Sequence, residues 1–153
     1  TGISCLKKGF SLDQTMLAHT LVAVTMADAF IACWDEKYRS NRIRPETVIQ
    51  RLLDPRWRPL LQTPPFPEYT SGHSVISGAA STVLINQFGK GFSFHDTTEL
   101  KYLGMERTFS SIEAATDEIG ISRFYGGIHY MSAITKGKAQ GMKIGELYNQ
   151  LKK

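Results

Sequence analysis

Apolar residues recur along this chain at three- and four-residue spacings, the period of helices, and no long stretch alternates in the manner of a strand. Leu17, Leu21, Val24, Ala27, Phe30 and Ile31 form one such series behind Ser11 and Asp13, both suited to capping, so a long helix is expected to run on to Trp34 and Lys37. A loop over Arg39 to Ile43 leads to Pro45, whose fixed φ suits the first turn of a second helix with Val48, Ile49, Leu52 and Leu53; Asp54-Pro55 closes it. Pro55, Pro59, Pro64, Pro65 and Pro67 make the stretch up to Tyr69 an extended loop. A third helix is expected from Thr70 or Ser71 to Phe88, stopped by Gly89.

Gly72, Ser74, Ser77, Gly78, Ala79, Ala80 and Ser81 give that helix a small-residue face that invites close packing. Gly89 to His95 reads as a glycine-aromatic turn region, after which Thr108 or Ser110 caps a helix from Ser111 to about Ile119. A final helix is expected from about Gly127 to Leu151, with Gly137, Gly141 and Gly145 as a second close-contact stripe and Ile134, Ile144, Leu147 and Leu151 as its bulkier face. The pattern predicts an all-α fold, a bundle of about five helices.

Composition narrows the function. At 153 residues and 42% hydrophobic the chain is long enough for one domain with a real core. Its net charge of +4 is unevenly spread, with Lys37, Arg39, Arg42, Arg44, Arg51, Arg56 and Arg58 crowded together. That crowding suits an anionic ligand; no zinc-finger, helix-turn-helix or RNA-recognition pattern accompanies it, so nucleic acid is not expected as a partner. Cys5 and Cys33 define neither a disulfide framework nor a zinc site. Leu17 to Trp34 is apolar, but His19, Thr20, Thr25 and Asp28 interrupt it, so a buried bundle helix is expected rather than a membrane span. No signal peptide or lipid-anchor box is visible.

Three segments carry the candidate chemistry: Lys37 with Arg44-Pro45, Ser71-Gly72-His73, and Ser122-Arg123 followed by His129. Arg44 and Arg123 each offer a planar fork of donors to a tetrahedral oxyanion, Lys37 adds a compact charge, and Ser71 adds a hydroxyl. Gly72 leaves a helix N-terminal amide unobstructed, where the dipole also favours an anion. His73 and His129 supply imidazoles that titrate in the useful range. His19 and His95 lack such neighbours and read as ordinary structural or surface residues.

From about Trp34 to Gly145 these motifs resemble the vanadium haloperoxidase and type 2 phosphatidic acid phosphatase superfamily, and Phe66-Pro67-Glu68-Tyr69-Thr70-Ser71-Gly72-His73 is similar to the central segment of the bacterial chloroperoxidase-like branch. The resemblance implies one catalytic domain over residues 1–153, or the C-terminal part of a larger protein. His129 is then either the phosphoryl-accepting nucleophile or the vanadium ligand, and His73 the acid-base partner. Lys37, Arg44, Ser71, Gly72 and Arg123 bind the oxyanion, and Trp34 and Phe66 flank a halide or substrate pocket. Two reactions follow: vanadate-dependent oxidation of halide by peroxide, or hydrolysis of a phosphate ester through a phosphohistidine without cofactor. A non-catalytic phosphate-binding domain is the third reading. The aromatic pair favours the haloperoxidase branch. The location is left open, with the bacterial periplasm or cell envelope as one option; self-association or pairing with a preceding segment is expected, because the apolar first helix has more face than a small bundle covers. Two departures stand out: Thr70 replaces a proline, and Ala133 stands where many superfamily phosphatases place an aspartate that orients the histidine. Another group must then fix the His129 tautomer.

Overall fold

The computed structural model describes residues 1–150. Its elements run α1 (Gly2–Lys8), α2 (Leu12–Ser40), α3 (Pro45–Leu52), α4 (Gly72–Phe88), β1 (Phe94–Asp96), α5 (Leu100–Leu103), β2 (Arg107–Phe109), α6 (Ile112–Tyr125) and α7 (Met131–Gln150). The fold is a helical bundle, as the periodicity predicts, with α1 and α5 as short additions. One feature was not foreseen: β1 and β2 pair antiparallel with Phe94 opposite Phe109. Three-residue strands are too short to register as alternation.

Local signals set most boundaries. Ser11 and Gln14 form a capping box at the start of α2, in which Ser11 Oγ takes the Gln14 amide and the Gln14 side chain takes the Ser11 amide. Pro45 opens α3, Ser71 caps α4 and Gly89 ends it. Two expectations need correction. Ser111 caps α6, not Thr108 or Ser110, because Thr108 is drawn into β2, and the helix continues past Ile119 to Tyr125. Helix α7 starts at Met131 rather than near Gly127, whose φ of +75° places it in a turn; Leu151 lies outside the described residues.

Helix α4 is the centre, packed against α7, α2 and α6. Its small-residue face and the α7 glycine stripe meet as expected. A Cβ on Gly141 would lie 1.9 Å from the Val75 carbonyl oxygen, and one on Gly145 2.6 Å from Thr82 Cβ. Around this contact Ala29, Cys33, Val75 and Ala79 form one buried cluster. Cys5, Ala18, Phe88, Phe92 and Ile112 form another at the far end.

The face that α2 buries is not the one its large residues mark. Ala18, Val22, Thr25, Ala29, Cys33 and Lys37 are buried, whereas Leu17 is 53% exposed and Ile31 67%, with Val24 and Phe30 also on the outside. Close approach to α4 selects the small row, because side chains the size of leucine would hold the two helices apart. The expected buried helix is therefore buried on one face only. By length and composition alone, the stretch Leu12–Leu52 is apolar enough to cross a membrane, and 28% of its apolar window is buried inside the fold.

The glycine stripe gives a direct test. Gly141→Ala should cost about 1–3 kcal/mol or more, since overpacking against backbone cannot relax by side-chain movement. Thermal unfolding of the variant checks this; an unchanged midpoint would contradict the packing described.

Candidate active site

Five chain segments end at one place. The last turns of α2 bring Lys37, the start of α3 brings Arg44, the start of α4 brings Ser71, Gly72 and His73, the last turn of α6 brings Arg123, and the turn before α7 brings His129. A cavity of about 280 Å³ lies among them, lined by Phe30, Trp34, Pro64, Phe66, Gly72, His73, Ile76, Ser77, Ile128 and His129. One wall is aromatic: Trp34 stacks on Phe30 with ring centroids 3.9 Å apart and meets Phe66 at 5.1 Å.

The cations are tied to backbone. Lys37 is wholly buried, and its Nζ donates to the carbonyls of Pro67 (3.0 Å), Glu68 (3.1 Å) and Thr70 (2.6 Å). Desolvation lowers its pKa from 10.5 to about 8. With all three N–H groups engaged, what Lys37 offers the cavity is its field, which lowers the pKa of both His73 and His129. Arg44, also buried, donates from Nε to Phe66 O (3.0 Å) and from Nη1 to Ile128 O (2.8 Å), and Nη1 lies 3.2 Å from His129 Nε2.

Arg123 reaches across to His73, with Nη1 3.1 Å from Nε2, while its buried Nε has no partner. An unpaired guanidinium N–H beside a cavity is a donor awaiting an acceptor. Ser71 Oγ accepts the Ser74 amide, and the Ser71 amide is bound by Ala133 O. The amides of Gly72 and His73, at the open first turn of α4, are left without intrahelical acceptors. This donor set, two guanidinium groups, a buried ammonium charge and a helix N-terminus around one imidazole, fits a tetrahedral oxyanion such as vanadate or phosphate.

Sequence reasoning missed Glu68. It is fully buried, and its Oε1 accepts from His129 Nδ1 (2.8 Å) and from the Tyr130 amide (3.0 Å). Ala133 is buried as well and offers its carbonyl to Ser71, so the imidazole is held from the loop before α4 rather than from α7. One signal was available: Glu68 is the sole acidic residue between Asp54 and Asp96. Arg42 went unassigned too; its Nε lies 3.7 Å from Glu68 Oε2. His19 is exposed, and His95 on β1 bonds to Thr108 and Glu106, away from the cavity.

Helix ends of one bundle thus gather cations and two imidazoles beside an aromatic-walled cavity. The chain belongs to the family of the VCPO second helical-bundle domain, which it matches over residues 17–56 and 52–153. Among solved structures it is similar to the first bacterial vanadium-dependent iodoperoxidase, with 56% identity and a TM-score of 0.94, covering 97% of this chain and 36% of that one. A bacterial vanadium-dependent chloroperoxidase shares the fold at 18% identity and a TM-score of 0.72, covering 85% of this chain and 34% of that one. The transmembrane PAP2-type phosphatidylglycerolphosphate phosphatase of Bacillus subtilis shares it at 18% identity and 0.54, covering 99% and 73%. The chain thus spans about a third of the length of the peroxidases it matches. No curated protein matches.

Both site histidines are held neutral. Burial, ahead of the nearby cations, lowers the pKa of each, although His73 is exposed as a residue, so the stability effect rests more on His129; there the Glu68 hydrogen bond partly opposes the shift. The unfolded chain then takes up protons first, so the stability these groups confer is complete above about pH 6.5 and is lost as pH falls through their folded values. Urea unfolding should show a lower midpoint at about pH 5 than at about pH 7, with a shallower dependence in His129→Gln.

Proposed function

We propose that this chain carries the oxyanion-binding and catalytic centre of a vanadium-dependent haloperoxidase-type oxidoreductase acting on peroxide and halide. The observation that carries the reading is the pairing of His129 with Arg44 and of His73 with Arg123 around one aromatic-walled cavity. The 56% identity to an iodoperoxidase supports iodide among the halides. In this reading Arg44, Arg123, the Lys37 charge and the Gly72 amide would balance the oxyanion, Ser71 would support it with its hydroxyl, and His129 Nε2 would hold the vanadium. Bound vanadate supplies a Lewis-acidic centre.

His73 is the group suited to moving a proton. Its Nε2 faces a guanidinium, which can only donate, so this nitrogen presents a lone pair and the free site holds a base rather than an acid. A base there suits removal of a proton from peroxide. Trp34 and Phe66 wall the halide side and exclude water.

A second reading, phosphomonoester hydrolysis, is favoured by one specific observation, the Glu68 carboxylate on His129. His129 Nε2 would form the bond to phosphorus as the ester P–O bond breaks, with His73 giving the leaving alcohol its proton. Water would then release phosphate, its proton returning to His73. That role asks for a protonated His73, against the direction of its pKa. Assays for iodide, bromide and chloride oxidation and for phosphatase activity, each with and without vanadate, separate the readings. His129→Ala should abolish either activity, whereas His73→Ala should retain oxyanion binding and lose roughly 10²-fold in turnover. Vanadate should also inhibit any phosphatase activity by competition, because both anions are tetrahedral and vanadium can accept a fifth ligand from His129.

The outer face of α2 has a place in the same reading. Leu17, Val24 and Ile31 lie exposed, and the iodoperoxidase it resembles is far longer than the matched region. The proposed occupant is another segment of a longer protein, with a second copy of the chain as the competing outcome. Ile31→Asp in the full-length protein should destabilise it by roughly 2 kcal/mol or more if the face is covered. An unchanged unfolding midpoint would show that it faces water.

A further inference from the structure

The His129 ring is pinned at both nitrogens, and the two contacts demand the same proton arrangement. On one side Glu68 Oε1 already accepts the Tyr130 amide and lies 2.8 Å from Nδ1. A carboxylate oxygen is an acceptor, so Nδ1 must bring the hydrogen. On the other side Arg44 Nη1 stands 3.2 Å from Nε2, and a guanidinium has donors only, so Nε2 must present its lone pair. The second oxygen of Glu68 is buried without a hydrogen bond, and its nearest cation is Arg42 at 3.7 Å. Arg42 is itself held over the Tyr130 ring at 4.5 Å and bonded to Ser132 Oγ at 3.0 Å. A buried carboxylate without such a partner would be costly.

We infer that Glu68, neutralised from the rim by Arg42, is a positioning residue that locks His129 in the Nδ1–H tautomer with the Nε2 lone pair turned to the oxyanion. It thereby fixes the imidazole from the loop before α4, which the Ala133 side chain on α7 cannot do. Arg44 acts as a placeholder: in the free site its N–H rests on the Nε2 lone pair, and both groups would be free to hold a vanadate. The inference rests on the proposed oxyanion role of His129 and adds the device that prepares it.

The test joins a spectroscopic signature to two anions. Long-range ¹H–¹⁵N spectra of histidine-labelled protein report which His129 nitrogen carries the proton, and calorimetry measures inorganic vanadate and sulfate. Wild-type protein should show Nδ1 protonated. In Glu68→Gln, whose amide can donate as well as accept, both tautomers should appear, and vanadate should bind roughly 10-fold or more weakly. Sulfate, which forms no bond to His129, should bind as before or slightly tighter because a nearby negative charge is gone. Arg42→Met should weaken vanadate in the same direction by a smaller factor. Equal weakening of both anions would mean that Glu68 merely supports the fold, and an unchanged tautomer with unchanged vanadate affinity would refute the inference. A wild-type ring protonated at Nε2 would overturn it whether or not any variant folds. Failure of wild-type protein to bind either anion would instead remove the proposed function, leaving the tautomer to decide the lock.

Discussion

The segment from Phe66 to Thr70 has no secondary structure of its own, yet it lies against the core, where carbonyls without partners are costly. Two buried cations satisfy them. Lys37 takes the carbonyls of Pro67, Glu68 and Thr70, and Arg44 takes that of Phe66 together with Ile128 across the cavity. The cations in turn tolerate burial because those dipoles replace water. Everything at the site depends on this exchange. It sets Glu68 against His129, Ser71 at the head of α4 and Phe66 beside Trp34, so a proline-rich loop is tied to the helices that flank it.

The same exchange bears on electrostatics. Concentrating Lys37, Arg44 and Arg123 around one small cavity raises the local positive potential, and the buried Glu68 carboxylate beside His129 opposes it. Burial first, and these cations second, lower the pKa of both imidazoles. Under the proposed function, an incoming oxyanion would relieve the cation excess and make protonation of His73 easier.

The packing of α4 explains why the site can be this close. Small residues on α4 and glycines on α7 let the two backbones touch, and a Cβ on Gly137 would lie 3.0 Å from the Ser71 carbonyl, at the site itself. The small row of α2 serves the same purpose on the other side and brings Lys37 within reach of the loop. Bulk has been moved outward, which is why the large apolar residues of α2 remain exposed.

Much of this was legible in the chain. Helical period, capping serines, Pro45 and Gly89 determine most of the element boundaries, because they act through local geometry that one segment decides alone. The spacing of Lys37, Arg44, Ser71-Gly72-His73, Arg123 and His129 determined the candidate site, because those residue types together have few other uses. What the tertiary structure decided is what depends on the balance between segments. Apolar periodicity cannot tell which face of α2 turns inward when closeness rewards small residues over large ones. Three-residue strands leave no pattern to read. Glu68 stands 61 residues from His129, and nothing local to either marks the pairing. Only when Lys37 and Arg44 draw the loop into the bundle does a single carboxylate in an apolar, proline-rich stretch come to hold an imidazole.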